Sequence, residues 1–355
     1  MTKKVQTAVV GVTGYAGAEL ARLLLHHPRL KGKPPVFAGR VDEKDRARGG
    51  VPLTEIHPQL AGDNGSGDLM MEPFSWELLA DRGVDVLFLA TPHEQSREWA
   101  PEALMHGLRV VDLSGAWRLT DAANRAVYAF KDDGSEAAAA TQAQAAYGMP
   151  ELNRKQIAGA RLVANPGCYA TSIILPLKPL VAAGLVDLEH GIVADAKSGV
   201  SGAGKAPTAK THFMYAADNL SAYGVFTHRH TGELLEQIGV TACQIVFTPH
   251  LLPIPRGLLA TIYVRFKSGQ THESVAQVYR EFFASSPMVR LYEKSLPQFQ
   301  YSVRTNYADI GFQLDASGRR AVSVSCLDNL LKGAAGQAVQ NMNVMLGWPE
   351  SEGLA

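Results

Sequence analysis

The chain has 355 residues, which favours two domains over a single core, and 46% of its residues are hydrophobic while 19% are charged. The formal net charge is zero, which argues against nucleic acid or an anionic membrane surface as a partner. Three cysteines are too few for a disulfide framework. There is no signal-peptide pattern and no apolar run of membrane-spanning length, so we expect a protein of the reducing cytoplasm.

The first part of the chain alternates predicted strands with predicted helices. A buried-strand pattern at Val5–Val10 leads into the glycine turn Gly11–Gly17, which a helical pattern follows. Further strands are predicted at Pro35–Ala38, Val84–Ala90 and Arg109–Leu113, and a helix at Glu94–His106. This alternation predicts a parallel α/β sheet. The Ala- and Gln-rich segment Glu136–Ala146 allows either a helix or a surface insertion.

The glycine turn has the spacing G-x-x-G-x-x-G between a strand and a helix, where it either binds a dinucleotide or only makes a tight turn. We favour the dinucleotide, because glycines let the backbone approach a pyrophosphate at a helix N-terminus. Arg40 follows the second strand, where a basic residue accommodates a 2′-phosphate, so NADP(H) is predicted over NAD. Cofactor contacts are expected from Gly11, Thr13, Gly14, Tyr15, Ala16, Gly17, Arg40 and Pro92.

Cys168 is the candidate nucleophile of the chain. It follows Asn165-Pro166-Gly167, and a helix is predicted to begin at or near its sulfur. Backbone N–H groups at a helix start lower a thiol pKa and help to form the thiolate. The alternative is a buried and inert cysteine, the commoner fate of a cytosolic thiol.

After Cys168 the strands become longer and more alternating, which predicts an α+β domain. Strands are predicted at Gly191–Ala196, Gln244–Thr248, Leu259–Lys267, Ile310–Leu314 and Ala321–Ser325, and helices at Glu273–Ala284 and Leu330–Leu346. A second glycine loop, Lys197–Lys205, directly follows the first of these strands. Its small residues and two flanking lysines favour an anionic ligand over a merely flexible loop.

His228 and His230 are the candidate acid/base residues, since a thiol nucleophile needs a partner to take and return protons. Their i, i+2 spacing predicts side chains that point in different directions, so that only one faces the sulfur. The alternative is a polar helix N-terminus capped by Thr231.

Taken together, the motifs of this chain resemble those of the N-acetyl-γ-glutamyl-phosphate reductase family. The matching segments occur in the family's order: Gly11–Gly17, Leu89–His93, Asp112–Asp121, Tyr147–Asn153, Asn165–Thr171, Ser198–Gly204, His228–Glu233, Thr248–Pro255 and Asp328–Asn343. Ala170 and Gly232 stand where the family usually or often has proline, and neither replaces a functional residue.

The resemblance implies an α/β Rossmann domain plus an α+β glyceraldehyde-3-phosphate-dehydrogenase-like catalytic domain. The expected ranges are 1–167 for the first, completed by a C-terminal helix at 330–355, and 168–329 for the second. The resemblance also implies that Cys168 is the nucleophile and His228 the acid/base. Further expected cofactor residues are Ser198, Gly199, Gly202 and Asn329. Substrate-binding candidates are Arg118, Asn165, Arg229 and Lys205, with Lys197 and Arg256 as further cations.

The activity implied is NADPH-dependent reduction of N-acetylglutamyl 5-phosphate to the 5-semialdehyde through a cysteine thioester, as in arginine biosynthesis. No metal is expected. A homo-oligomer is expected, either a dimer or a tetramer. Aspartate-semialdehyde dehydrogenase and a reductase of carrier-protein-bound aminoadipyl or glutamyl phosphate are the alternatives. A non-catalytic NADP-binding regulator has no need of both Cys168 and His228.

Overall fold

A computed structural model describes residues 4–62 and 66–354. Its strands are β1 (Thr7–Val10), β2 (Val36–Gly39), β3 (Val51–Pro52), β4 (Met70–Pro73), β5 (Val86–Leu89), β6 (Arg109–Asp112), β7 (Ala145–Tyr147), β8 (Leu162–Ala164), β9 (Ile192–Gly199), β10 (Ser221–Ala222), β11 (Ile245–Leu252), β12 (Leu258–Arg265), β13 (Val289–Tyr292), β14 (Ala308–Leu314) and β15 (Arg320–Leu327). Its α-helices are α1 (Tyr15–His26), α2 (Glu43–Ala47), α3 (Leu53–Ile56), α4 (Trp76–Asp81), α5 (His93–Met105), α6 (Ala122–Arg125), α7 (Glu136–Gln142), α8 (Pro150–Gly159), α9 (Cys168–Ala182), α10 (Phe213–Ala216), α11 (Thr231–Leu234), α12 (His272–Phe282), α13 (Phe299–Ser302) and α14 (Gly336–Met345). Among the described residues, no helix combines the length and the apolar character needed to cross a membrane.

The chain forms two compact units. The first holds the described residues up to Arg118, together with Asp132–Asn165 and the segment from Ala334 onward. Its sheet has the order β3-β4-β2-β1-β5-β6-β8-β7, and every pairing except β3 with β4 is parallel. The central strands are fully buried apolar runs such as Val86–Leu89, as a sheet covered by helices on both faces requires.

The second unit comprises Leu119–Lys131 and Pro166–Gly333. Its mixed sheet has the order β10-β11-β9-β12-β15-β14-β13. Helix α9 packs on β12 and β15, and α12 packs against α9, where the Tyr279 hydroxyl donates to the Pro176 carbonyl at 2.9 Å. The strands alternate buried and exposed residues, so one face of this sheet carries the core of the unit.

The predicted domain ranges, 1–167 with 330–355 and 168–329, stay a prediction; residues 1–3, 63–65 and 355 of those ranges lie outside the described residues. The units differ from them at Leu119–Lys131, at 166–167 and at 330–333, all of which belong to the second unit. The first of these differences is the largest. Glu236 explains this placement, because its carboxylate accepts the backbone N–H groups of Thr120 and Asp121 at 2.8 and 3.1 Å. Helix α14 contacts α1, α8 and β6 and so lies in the first unit.

Two local expectations were incomplete. Residues 136–146 contain α7 and then the start of β7, which adds a parallel edge strand beside β8. Strand β9 continues to Gly199, because its end pairs with both β11 and β12. The first three residues of the predicted loop Lys197–Lys205 are therefore strand residues.

Candidate active site

Cys168 is the first residue of α9, which confirms the predicted helix start. Gly167 is the N-cap in extended conformation, and its carbonyl accepts the backbone N–H and the hydroxyl of Thr171 at 2.9 and 3.1 Å. The Cys168 side chain is partly exposed. A thiol in this position lies at the positive end of the helix dipole, the arrangement that favours a thiolate.

Two glycines make room for the neighbours of Cys168. A Cβ at Gly167 would overlap the imidazole of His230, and a Cβ at Gly333 would lie 2.8 Å from the Cβ of Cys168. The Gly167 N–H donates to Oε2 of Glu233 at 3.0 Å, and Glu233 is fully buried. The residue before the thiol is thus held by a carboxylate and covered by an imidazole.

His228 and His230 lie side by side, and the prediction that their side chains point apart was wrong. Their ring centroids are 4.7 Å apart at 80°. Gly224 and Phe226 have φ of 57° and 62°, so the segment is a turn and neither of the regular periodicities applies. His230, and not Thr231, is the N-cap residue of α11.

His228 lies in an aromatic environment that keeps its ring neutral. Its ring centroid is 5.4 Å from that of Tyr169, 5.5 Å from Tyr223 and 5.3 Å from Phe247. Burial, and then the positive charge of Arg229, lower the pKa of His228 to about 4. Nδ1 accepts the backbone N–H of His230 at 3.1 Å, so the proton of the neutral ring is on Nε2.

His230 has an acidic partner that the sequence analysis did not assign. Its Nε2 lies 4.0 Å from Oε1 of Glu233. A carboxylate beside an imidazole orients the ring and stabilises its protonated form. The i, i+3 spacing of the two residues across a helix start was the available signal.

Tyr169 and Tyr223 form the wall beside the histidines. The Tyr169 hydroxyl donates to the carbonyl of His250 at 2.7 Å, and the Tyr223 hydroxyl donates to that of Tyr169 at 3.4 Å. Burial raises the pKa of both phenols above the ordinary tyrosine range. Both stay protonated at neutral pH and shape the site without carrying charge.

The second glycine loop is held from within its own unit. Ser198 and Gly199 end β9, and a Cβ at Gly199 would lie 2.7 Å from the carbonyl oxygen of Ile254. A Cβ at Gly202 would lie 2.9 Å from the Ser198 hydroxyl. Asn329 accepts the N–H of Gly257 at 2.8 Å and donates to the Ser201 hydroxyl at 2.9 Å. Asn329 therefore shapes this loop through both ends of its amide.

Arg118 and Asn165 both lie in the first unit and are buried. Nε of Arg118 donates to the carbonyl of Asn165 at 2.7 Å, and Nη2 donates to the carbonyl of Leu113 at 2.8 Å. Two of the guanidinium nitrogens thus donate hydrogen bonds to backbone carbonyls and do not face solvent.

The other candidate cations differ in their exposure and in the contacts they make. Lys197 contacts Asp195 at 2.8 Å, and Arg256 contacts the buried Asp328 at 3.1 Å. Arg229 and Lys205 have exposed side chains, and the guanidinium of Arg229 lies 5.9 Å from the ring centroid of Tyr128.

The first glycine turn has the geometry that a dinucleotide needs. Gly11 has φ of 92°, and a Cβ there would overlap the carbonyl of Ala90. A Cβ at Gly17 would overlap the carbonyl of Gly11, so helix and strand pack closely. Gly14 caps α1 in extended conformation without a side-chain hydrogen bond to the helix N–H groups. Thr13, Tyr15 and Ala16 complete the turn and the start of α1.

The two other predicted cofactor residues of the first unit also follow strands of its sheet. Arg40 follows β2 and is exposed. It lines a cavity of about 820 Å³ whose other lining residues are Val41, Asp42, Glu43, Asp45, Arg46 and Val51. Pro92 caps α5 after β5. The residues of the first unit therefore fit a phosphorylated dinucleotide.

Residues 6–160 match the family described as "Semialdehyde dehydrogenase, NAD binding domain", and residues 168–329 match "Semialdehyde dehydrogenase, dimerisation domain". An N-acetyl-gamma-glutamyl-phosphate reductase of Dehalococcoides mccartyi strain CBDB1 is 41% identical over 99% of this chain and 98% of its own length. Relatives of the same name from Geobacillus stearothermophilus and Methanococcus maripaludis are 41% and 39% identical, each over 98% of this chain and 97% of their own length.

The chain belongs to the N-acetyl-gamma-glutamyl-phosphate reductase family. The resemblance given by its motifs is thereby confirmed. Aspartate semialdehyde dehydrogenase II of Vibrio cholerae, complexed with ASA, shares the fold with a TM-score of 0.69 at 18% identity, over 98% of this chain and 99% of that one. Aspartate semialdehyde dehydrogenase of Candida albicans, with NADP, gives a TM-score of 0.68 at 17% identity, over 97% of this chain and 99% of that one. The predicted fold class is confirmed, and these semialdehyde dehydrogenase relatives make the chain an oxidoreductase.

Proposed function

We propose that this chain reduces N-acetyl-L-glutamyl 5-phosphate to N-acetyl-L-glutamate 5-semialdehyde and phosphate, with NADPH as the reductant. Identity of about 41% with reductases of that name over nearly the whole chain carries the proposal. Cys168 at the start of α9, next to the histidine pair, supports the chemistry.

The cofactor is proposed to lie with its pyrophosphate on Gly11–Gly17 and its 2′-phosphate on Arg40. Two observations support this placement: the glycines leave the backbone at the helix start open to approach, and Arg40 borders a cavity beyond β2. Ser198, Gly199, Gly202, Asn329 and Pro92 stay predicted cofactor residues.

In the first step the Cys168 thiolate attacks the acyl carbon of the acyl phosphate. The C–S bond forms, the C–O bond to phosphate breaks, and phosphate leaves with the electron pair, so that a thioester remains on Cys168. We assign the thiol proton to His230, because Glu233 beside it stabilises the protonated ring. The backbone N–H of Cys168 is our candidate oxyanion donor, a contact worth about 3–4 kcal/mol of barrier.

The second step is reduction of the thioester, for which NADPH, when bound, would supply the hydride. His228 stays the predicted acid/base residue; with its proton on Nε2, the neutral ring would donate a hydrogen bond to the substrate oxygen. The C–S bond then breaks, the aldehyde leaves and the Cys168 thiolate returns.

The substrate carries a carboxylate and a phosphate, and we propose Lys205 and Arg229 as their first contacts. Both are cations with exposed side chains in the second unit, within or next to the predicted glycine-loop and histidine motifs. Arg118 and Asn165 stay predicted substrate residues, although their backbone contacts also support a scaffolding role.

We also propose a homo-oligomer, a dimer or a tetramer, since the second unit matches a domain described by dimerisation. We propose a cytoplasmic location, which the need for a reduced catalytic thiol and for NADPH supports. Light scattering of the purified chain and cell fractionation test these two statements.

A substrate panel tests the function. Phosphate- or arsenate-dependent reduction of NADP is measured with N-acetylglutamate semialdehyde, aspartate semialdehyde and a carrier-protein-bound semialdehyde. The proposal expects kcat/KM to be highest for the N-acetylglutamyl compound. A preference for either of the other two semialdehydes would overturn the proposed substrate but would still be compatible with the thioester chemistry.

A further inference from the structure

Helix α14 carries a set of fully buried amide side chains: Gln337, Gln340, Asn341 and Asn343. Asn341 differs from the others in what it holds. Its Nδ2 donates to the carbonyl of Gly148 at 2.8 Å and to Oδ1 of Asn165 at 2.9 Å. Asn165 lies three residues before Cys168 in the chain.

Every polar group of Asn165 has a partner within the first unit. Its N–H donates to the carbonyl of Asp112 at 2.8 Å, and its carbonyl accepts Nε of Arg118 at 2.7 Å. Its Nδ2 donates to the carbonyl of Ala334 at 3.1 Å, which leaves Oδ1 to accept from Asn341. Because carbonyls accept and do not donate, this pattern fixes the orientation of both amides.

We propose that Asn341 is a positioning residue for the Cys168 thiol and acts through Asn165. The inference rests on the proposed role of Cys168 as the nucleophile. Pro166 fixes its own φ, and the Gly167 N–H is held by Glu233. With Asn165 held on one side of Pro166 and Gly167 on the other, few backbone dihedrals remain free to move the start of α9.

Packing alone does not account for an amide at position 341. Among the described residues, Oδ1 of Asn341 accepts no hydrogen bond, although it is fully buried. An unsatisfied buried oxygen costs about 1–3 kcal/mol, which an apolar side chain of the same shape would avoid. The gain from an amide at position 341 is therefore the pair of hydrogen bonds that Nδ2 donates to Gly148 and Asn165.

The test compares Asn341→Leu with Asn343→Leu in a Cys243→Ser background, since the exposed Cys243 would also react with an alkylating agent. Asn343 is the matched control, because it also lies fully buried on α14 and donates to the carbonyls of Glu350 and Glu352. The readouts are the rate of Cys168 alkylation by iodoacetamide at pH 7, kcat, the KM for acyl phosphate and the melting temperature.

Asn341→Leu is expected to slow alkylation about threefold or more and to lower kcat by roughly 10–100-fold, with KM within about twofold. Asn343→Leu is expected to lower the melting temperature comparably and to leave both rates within about twofold of the parent. If Asn341→Leu does not fold, Asn341→Ala removes the donor without adding bulk.

Equal losses in both variants would overturn the proposal, because they would reflect general destabilisation. Unchanged alkylation and kcat in the Asn341 variants would overturn it too. The alkylation rate needs no substrate, so it also separates this inference from the proposed function. If a Cys168→Ser enzyme still turned over substrate, the proposed thioester function would be overturned, but the alkylation rates of the Asn341 and Asn343 variants could still be compared.

Discussion

Glu233→Gln tests whether the buried carboxylate near Cys168 assists proton transfer or only holds the backbone. The glutamine oxygen can still accept the Gly167 N–H, which lies 3.0 Å from Oε2. What is lost is the charge, 4.0 Å from Nε2 of His230. Two unit charges at that distance attract by about 4 kcal/mol at an effective dielectric constant of 20. That attraction is the upper limit of what the carboxylate charge can contribute to proton transfer by His230.

We therefore expect kcat at pH 7 to fall by roughly 10–1000-fold, and Cys168 alkylation to slow, with little change in melting temperature. Glu236→Gln is the matched control, since Glu236 is a nearby carboxylate that accepts four hydrogen bonds from Thr120, Asp121 and Asn124. If Glu233→Gln lowers the melting temperature but leaves kcat and alkylation intact, Glu233 is a structural anchor and the assignment of the thiol proton to His230 falls.

Three further predictions concern the histidines and the cofactor. His228→Asn should lower kcat by two to four orders of magnitude without slowing Cys168 alkylation, whereas His230→Asn should slow alkylation; the reverse pattern exchanges their roles. Arg40→Ala should raise the Kd of NADPH much more than that of NADH, and an equal change in both constants removes Arg40 from the 2′-phosphate site. The native pKa of His228 is about 4 against 6.5 when unfolded, so the unfolded chain binds the proton first and native stability falls between pH 6.5 and 4, by up to about 3 kcal/mol. Urea unfolding of the wild type and His228→Asn at pH 7.5 and 5 should show the smaller loss in the variant, and equal losses would contradict the burial of a neutral ring.

The sequence was sufficient where the local pattern itself dictates the structure. Asn-Pro-Gly before an apolar run predicts a helix that begins at Cys168, because proline and glycine end the preceding strand and leave the thiol at the first helical position. The strand, glycine turn and helix around Gly11–Gly17 were likewise predictable, and the close backbone approaches at Gly11 and Gly17 explain why glycine stands at those two positions.

The sequence was insufficient where contacts between distant segments decide the geometry. The turn that brings His228 and His230 together depends on positive φ values at Gly224 and Phe226, and spacing alone predicted that the rings diverge. Asn165 was predicted to bind substrate, yet its amide partners, Ala334 and Asn341, lie about half a chain away. No local pattern reveals such partners before the fold is known.

The central claim is that an acyl group passes through Cys168, and one measurement tests it most directly. The enzyme is mixed with N-acetylglutamyl 5-phosphate in the absence of NADPH, and the Cys168 peptide is analysed by mass spectrometry together with the phosphate released. We expect an N-acetylglutamyl thioester on Cys168 and a burst of about one phosphate per chain, both absent from Cys168→Ser. Reduction of the acyl phosphate at a normal rate by Cys168→Ser, or a burst with the acyl group on another residue, would contradict it.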